Sequence, residues 1–400
     1  ITVGEADNAA SANASALAEA NAAAIAGGSG GDTITNTGTL MAGSATEPDE
    51  STGPLALALA SSETIDVGIT LGDADSAATS DSSSTAVSDI SGIQGGAGGD
   101  VIGNSGVINT YSSAEALGQS ATTSVSLTLG LSEGESTANA ASRSIALGTG
   151  IDGGADADTI TTDGTVTVDV RSQAITLSSG LNLELVSIGA SDQSAEANAS
   201  ATADAVARGV YGGDGGDTIT AAGNFSVKAD SFVDSKAVAN TSGGFSVGES
   251  VKQAQSRAET TAHALAIGID GGAGDDDIVD AAVLIIESVA NATATGVSSS
   301  NSGLNLAGSS SGESMSDARA TVDATGVGIR GGESELIDGE PDDDTITVVN
   351  SIAVDATAEG QSDSTADTTV VAVFGSAQGR AVSDASAVVR AKGVGLSLIH

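Results

Sequence analysis

Residues 195–219 read AEANASATADAVARGVYGGDGGDTI. From Ala195 to Ala207 every odd position is alanine, while the even positions are mostly Glu, Asn, Ser, Thr, Asp and Arg. Alanine favours helix by propensity. A helix, however, brings i and i+4 together and cannot sort small from polar side chains at every second residue. Strict alternation over this length puts the small side chains on one face of a strand. The same phase holds from Ala10 through Ala26, and for Ala318, Ala320, Val322, Ala324, Gly326 and Gly328. Beyond the glycines the alternation resumes with larger residues. Ile160, Thr162, Gly164, Val166, Val168 and Val170 share a parity, as do Ile219, Ala221, Gly223, Phe225, Val227 and Ala229. A second apolar patch follows near a Gly/Ser corner, as Leu181-x-Leu183-x-Leu185, Leu304-x-Leu306, Val125-x-Leu127-x-Leu129 and Leu55-x-Leu57-x-Leu59.

The glycine-rich end of the quoted stretch recurs. Gly27–Ile34, Gly95–Ile102, Gly153–Ile160, Gly212–Ile219 and Gly271–Ile278 all follow Gly-Gly-x-x-x-Asp-x-Ile, most with a third glycine, and a sixth copy is split into Gly331-Gly332 and Asp344-Thr345-Ile346. The aspartates Asp32, Asp100, Asp158, Asp217, Asp276 and Asp344 are spaced 68, 58, 59, 59 and 68 residues apart. A fixed period marks a repeat architecture. The chain therefore reads as one continuous array over 1–396, divided at the turns into 1–26, 27–94, 95–152, 153–211, 212–270, 271–330 and 331–396, the first and last incomplete. Leu396 to His400 reads as a translated sequencing adapter, so 397–400 is expected to be an artefact and the array to be the interior of a longer protein.

These patterns predict an all-β fold, a β-solenoid resembling a parallel β-helix. Each repeat would form one wide coil or about three coils of roughly 20 residues stacked on their neighbours. Long antiparallel hairpins forming a sandwich or fibre share the period of two and remain the alternative. Small side chains on the inward face imply two sheets packed unusually close. All three prolines, Pro48, Pro54 and Pro341, fall in the two insertions, leaving the strand bodies free for an unbroken ladder.

Composition narrows the function. Hydrophobic residues make up 40% of the chain but aromatics only 2%, so a core of large side chains is not available. Stability must come from neighbouring repeats, backbone ladders or a bound ion. A net charge of −41 with only 12 basic residues argues against nucleic acid as a partner. No cysteine is present, which removes disulfides and thiolate metal sites, and no apolar run is long enough for a membrane span. With His263 and His400 the only histidines and no acid cluster singled out, the chain reads as a non-enzyme.

The turns resemble the Gly-Gly-x-Gly-x-Asp-x-aliphatic nonapeptide of RTX (haemolysin-type) calcium-binding repeats. The resemblance covers the turns alone, since RTX repeats follow one another every nine residues. In that family one turn supplies half of the ligands of a Ca²⁺ and the turn stacked on it supplies the rest. Carried over, the resemblance implies Asp32, Asp100, Asp158, Asp217, Asp276 and Asp344 as side-chain ligands. It also implies Gly28, Gly30, Gly96, Gly98, Gly154, Gly213, Gly215, Gly272 and Gly274 as backbone positions of the site, with Asp275 beside them. Glycines of positive φ would aim carbonyls inward, and calcium takes six to eight oxygens. Ile34, Ile102, Ile160, Ile219, Ile278 and Ile346 would be buried beneath the turns, clamped by Ile25, Ile93, Ile151, Val210, Ile269 and Ile329 two residues before them. The extra acids Asp152, Asp156, Asp214, Asp270 and Asp275 favour a cation; a plain glycine corner capped by Asp is the competing reading.

The resemblance implies a calcium-stabilised, extracellular repeat region of a large bacterial surface protein or adhesin, acting as a stiff spacer or filament. Its partners would be calcium, neighbouring repeats and, in a binding role, glycans, mineral or identical chains. The insertions at Glu47–Pro54 and Glu333–Pro341 are the only distinct loops on which a binding role could be built.

Overall fold

The computed structural model describes residues 2–3, 6–43, 55–332 and 343–397, and there every regular element is a β-strand. Both insertions singled out in the sequence, with the three prolines, and residues 398–400 lie outside the described residues.

One repeat makes one circuit. The long strand Ser191–Asp214 enters the glycine turn, the short strand Thr218–Ala221 crosses the narrow end, and the long strand Asn224–Val247 returns along the other side. A corner at Gly248 then starts Ser250–Ala273, which lies parallel on Ser191–Asp214 with Ala195 opposite Ala254. A strand of 24 residues spans ~80 Å at about 3.3 Å per residue, while each coil rises by only ~4.8 Å. The coil is thus a wide, flat loop, not three narrow ones.

Stacking the coils generates three parallel sheets. The pre-turn sheet contains Ala6–Ser29, Ala74–Ala97, Ser132–Ala155, Ser191–Asp214, Ser250–Ala273, Gly308–Arg330 and Gly375–Ser397. The post-turn sheet contains Ala56–Leu71, Val107–Leu129, Thr165–Ile188, Asn224–Val247, Val283–Asn305 and Ile352–Ala372, with the short Thr2–Val3 and Thr39–Ala42 at its start. The short sheet contains Thr33–Asn36, Val101–Asn104, Thr159–Thr162, Thr218–Ala221, Asp277–Asp280 and Thr345–Val348. Among the described residues every strand pairing is parallel, which overturns the antiparallel-hairpin alternative. Ser397 pairs with Arg330 at the end of the last strand.

The alternating alanines are the interior: all seven from Ala195 to Ala207 are buried. Opposite them the composition is graded. Near the turns the post-turn sheet contributes Val166, Val168 and Val170, then Phe225 and Val227, then Leu284 and Ile286, all buried. Toward the far corner, hydroxyls take over. Ser178 Oγ donates to the Ala138 carbonyl at 2.7 Å, Ser231 to Ala203 at 2.8 Å, and Ser288 to Ala264 at 2.8 Å, each across the gap between the two long sheets. Thr122 and Ser136 hydroxyls meet at 2.6 Å. A serine reaches the facing backbone only when the layers are closer than the ~10 Å of ordinary sheet packing. At Gly118 an added Cβ would come within 2.6 Å of the Ala141 carbonyl oxygen.

The inward positions at this end are taken by small and polar side chains. The second apolar patch of the sequence therefore faces outward: Leu185, Leu129 and Leu304 are 47%, 45% and 41% exposed. One ion pair is sealed in the same region. Lys252, fully buried, donates to Glu184 Oε2 and to Ser191 Oγ, the latter at 2.8 Å. Burial pushes its ammonium pKa down, and Glu184 pulls it back.

Candidate metal centre

The glycine turns lie directly above one another, since Gly28 is opposite Gly96, Gly96 opposite Gly154, Gly154 opposite Gly213 and Gly213 opposite Gly272. Positive φ is found at Gly28, Gly30, Gly96, Gly98, Gly154, Gly213, Gly215, Gly272 and Gly274, with values from 96° to 120°. The third copy carries Asp156 where the others have their last such glycine, and Asp156 keeps φ at 74°, the only non-glycine with positive φ among the described residues. The turn geometry is therefore imposed by the stack and not by glycine alone.

Beneath the turns, Ile102, Ile160, Ile219 and Ile278 are fully buried and Ile34 nearly so, against Ile93, Ile151, Val210, Ile269 and Ile329. Ile25 and Ile346, in the end coils, are half-buried.

The aspartates form a column linked through the backbone. Asp100 Oδ1 accepts from the Asp32 N–H at 2.6 Å, and Asp158 from Asp100 at 2.6 Å. Asp217 accepts from Asp158 and Asp276 from Asp217, both at 2.8 Å, and Asp344 from Asp276 at 3.1 Å. The other oxygen turns inward. The Oδ2 atoms of Asp32, Asp100, Asp158, Asp217 and Asp276 are buried without a hydrogen-bond partner. Each lies against the first glycine of its own turn: a Cβ at Gly95 or Gly153 would stand 2.6 Å from Oδ2 of Asp100 or Asp158. Closer still is the carbonyl oxygen of the next turn, 2.1 Å from a Cβ at Gly95 and 2.2 Å at Gly153, and the two contacts together explain why the first position of the motif is glycine although its φ is not positive.

Stacked carboxylates taken out of water resist ionisation. Burial pushes Asp217 and Asp276 up to about 7, the backbone N–H to each pulling the other way and the neighbouring aspartates adding to the rise. Burial raises Asp158 as well. The column fits a cation on charge and on its orphaned oxygens. It does not supply a closed cage from side chains: among the described residues no three acidic or histidine side chains converge on one point. A Ca²⁺ held here would draw on Oδ2 of successive aspartates, and its remaining ligands would have to come from turn carbonyls and water.

The accessory acids behave differently from one another. Asp275 is exposed, outside the buried column, and its Oδ1 accepts from the Asp343 N–H at 2.9 Å. Asp270 is buried but already engaged, by Arg330 through two hydrogen bonds of 2.6 and 2.9 Å and by Arg208 at 3.4 Å. Asp152, one coil beyond Tyr211, is raised to about 6 by burial, which Arg208 opposes. Sequence reading missed this arginine cluster, though superposing the repeats sets Arg330 opposite Asp270 directly. It also missed a second polar ladder at the next corner. There Asn36 Nδ2 donates to Asn104 Oδ1 at 2.8 Å, and Asn104 Nδ2 to Thr162 Oγ1 at 3.1 Å.

Comparison with protein-family models, with curated proteins and with solved structures gives no match to this chain.

Proposed function

We propose that this chain is a structural repeat region of an extracellular bacterial surface protein or adhesin, a β-solenoid whose turn column is stabilised by calcium. It catalyses no reaction; its work is to hold a stiff, acidic ribbon outside the cell. The observation that carries this reading is the row of buried, unpartnered Oδ2 atoms from Asp32 to Asp276. Like charges one strand spacing apart in a dry column repel and need a counter-charge. A divalent cation bound only by the stacked turns would supply it, stabilising the fold by mass action.

In this reading the aspartates keep two separate tasks. Oδ1 ties each coil to its neighbour through the backbone N–H, and Oδ2 presents charge to the ion. The glycines hold the turn open enough for that second oxygen. Extracellular modules of low affinity work at ~10⁻⁴–10⁻³ M calcium, so the column would be empty at cytosolic concentrations and filled after export.

The test is circular dichroism and thermal unfolding of the full chain, titrated with calcium and then with chelator. A rise in midpoint near millimolar calcium, reversed by chelator, supports the reading; a β spectrum and midpoint indifferent to both would overturn it. A second reading then takes over, a metal-independent fibre whose column stays protonated, favoured by the elevated pKa values of Asp217 and Asp276.

A further inference from the structure

We propose that two copies of this chain pair face to face through the outer surface of the post-turn sheet, over its far-corner half. This surface is independent of the turns and of any ion they hold.

The basis is an inversion of polarity at that end of the coil. The gap between the sheets is filled by Ser, Thr and Ala with a few longer polar side chains such as Asn182, Gln193 and the Lys252–Glu184 pair, and the large aliphatics of the same strands point outward. Within residues 121–129, 179–188, 238–247 and 297–304, on four consecutive coils, no outward side chain is charged; Glu184 points inward and is buried. The adjoining coil continues the surface with Ile65, Val67, Ile69 and Leu71, each at least 45% exposed. The strands are in register, so these residues stack as rows: Ile69, Leu127, Val186, Phe245 and Leu304 form one of them.

Its size is that of an interface. Ten residues at about 3.3 Å by five coils at about 4.8 Å give ~800 Å² per copy. Stable protein pairs bury about 800 Å² on each partner; within this area the rows nearest the corner are apolar throughout, while the rows behind them carry Thr123, Asn240, Ser242, Ser299 and Asn301, with the exposed Glu63 at the margin.

Charge selects a second copy as the occupant. On the opposite face of the same coil end, Glu133, Glu135, Asp192 and Glu196 point to solvent. A two-fold pairing of the apolar faces is self-complementary and leaves these acids on the two surfaces farthest apart. A net charge of −41 disfavours an anionic lipid surface in the same place. The product is a four-layered ribbon, apolar at its centre seam and acidic on both outer faces.

The test is sedimentation equilibrium of the full chain across the micromolar range, beside Leu183→Lys and, independently, Leu127→Lys. Both side chains point away from the interior, so the β spectrum should be retained; if one variant fails to fold, the other carries the comparison. A wild-type dimer whose dissociation constant rises at least about ten-fold in either variant, and is unchanged in Glu196→Lys on the acidic face, supports the pairing. A concentration-independent monomer overturns it. Association untouched by the lysines overturns it too, pointing to pairing at the open sheet edges of the end coils. Flotation of a monomer with phosphatidylcholine vesicles, abolished by Leu183→Lys, would assign the face to lipid instead.

Discussion

Replacing Asp217 by asparagine tests the aspartate column without disturbing its shape. The amide oxygen still accepts from the Asp158 N–H, a bond of 2.8 Å, and the backbone N–H of residue 217 still donates to Asp276. What changes is the buried Oδ2. Lifting a carboxyl from the ordinary aspartate range to about 7 corresponds to roughly 4 kcal/mol above neutral pH, at about 1.4 kcal/mol per pK unit. The new amide donor faces Gly212 with no acceptor, which costs about 1–3 kcal/mol. In chelator at alkaline pH, Asp217→Asn should therefore stabilise its coil by a net amount on the order of 1–3 kcal/mol. The sign depends on pH. The folded column retains a proton that the unfolded chain has already lost between about pH 4 and 7, so wild-type stability is full below that window and falls as pH rises through it. Below about pH 4 the advantage of the variant disappears and the unpaired amide makes it the weaker of the two. Stacked arrays open coil by coil, so the suitable assay is hydrogen–deuterium exchange of peptides covering the 212–219 turn. With calcium present the order should reverse, because the variant lacks the charged oxygen. Faster exchange of Asp217→Asn in chelator at pH 8 would refute the repulsive column.

Three further outcomes are expected. Gly212→Ala would drive a methyl into both Asp217 Oδ2 and the Gly271 carbonyl oxygen and should cost several kcal/mol, on the order of an overpacked core site. Gly28→Ala, with open space around it but φ of 105°, should cost only about 1–2 kcal/mol; urea denaturation compares the two. Asp156→Gly relaxes the one strained non-glycine and should raise stability by roughly 1 kcal/mol, read as a higher unfolding midpoint. Lys252→Met strands the buried Glu184 carboxylate and should cost about 3–5 kcal/mol, most of it recovered in Lys252→Met/Glu184→Leu; a double-mutant cycle in urea measures the coupling.

The alternation from Ala195 to Ala207 identified the inner face correctly because only small side chains satisfy a narrow gap. The 59-residue interval gave the repeat but left one wide coil or about three narrow ones open, which the in-register pairing of residues 59 apart decides for one. The aliphatics before and after each turn were legible for a similar reason, both being fixed by their distance from glycine. The direction of Leu181, Leu183 and Leu185 was not. A period of two separates two faces but does not say which is interior, and the usual guide, size and hydrophobicity, fails where the inward positions are taken by hydroxyls, methyls and the polar side chains of Asn182, Glu184, Gln193 and Lys252. The Asp-to-backbone links were hidden because their partners lie a full repeat away, and the Lys252–Glu184 pair because 68 residues separate its members. A signal for that pair does exist: Lys252 stands in register between Gln193 and Gly312, the one charged residue in a row with Asn8, Ser76, Gly134, Gln193, Gly312 and Gly379.

One circuit per repeat has a mechanical consequence. The array gains only ~0.08 Å of height per residue, about forty-fold less than an extended strand, from coils whose linking hydrogen bonds span 59 residues of sequence. Tension applied along the stack runs parallel to those bonds and opens them in succession, as a zipper opens, instead of shearing them together. Each coil released adds ~200 Å of slack where it had occupied ~4.8 Å. A tether made of such coils would yield in large, discrete steps at modest force and rewind when the load falls, absorbing the energy of a pull that an inextensible rod would pass straight to its anchor.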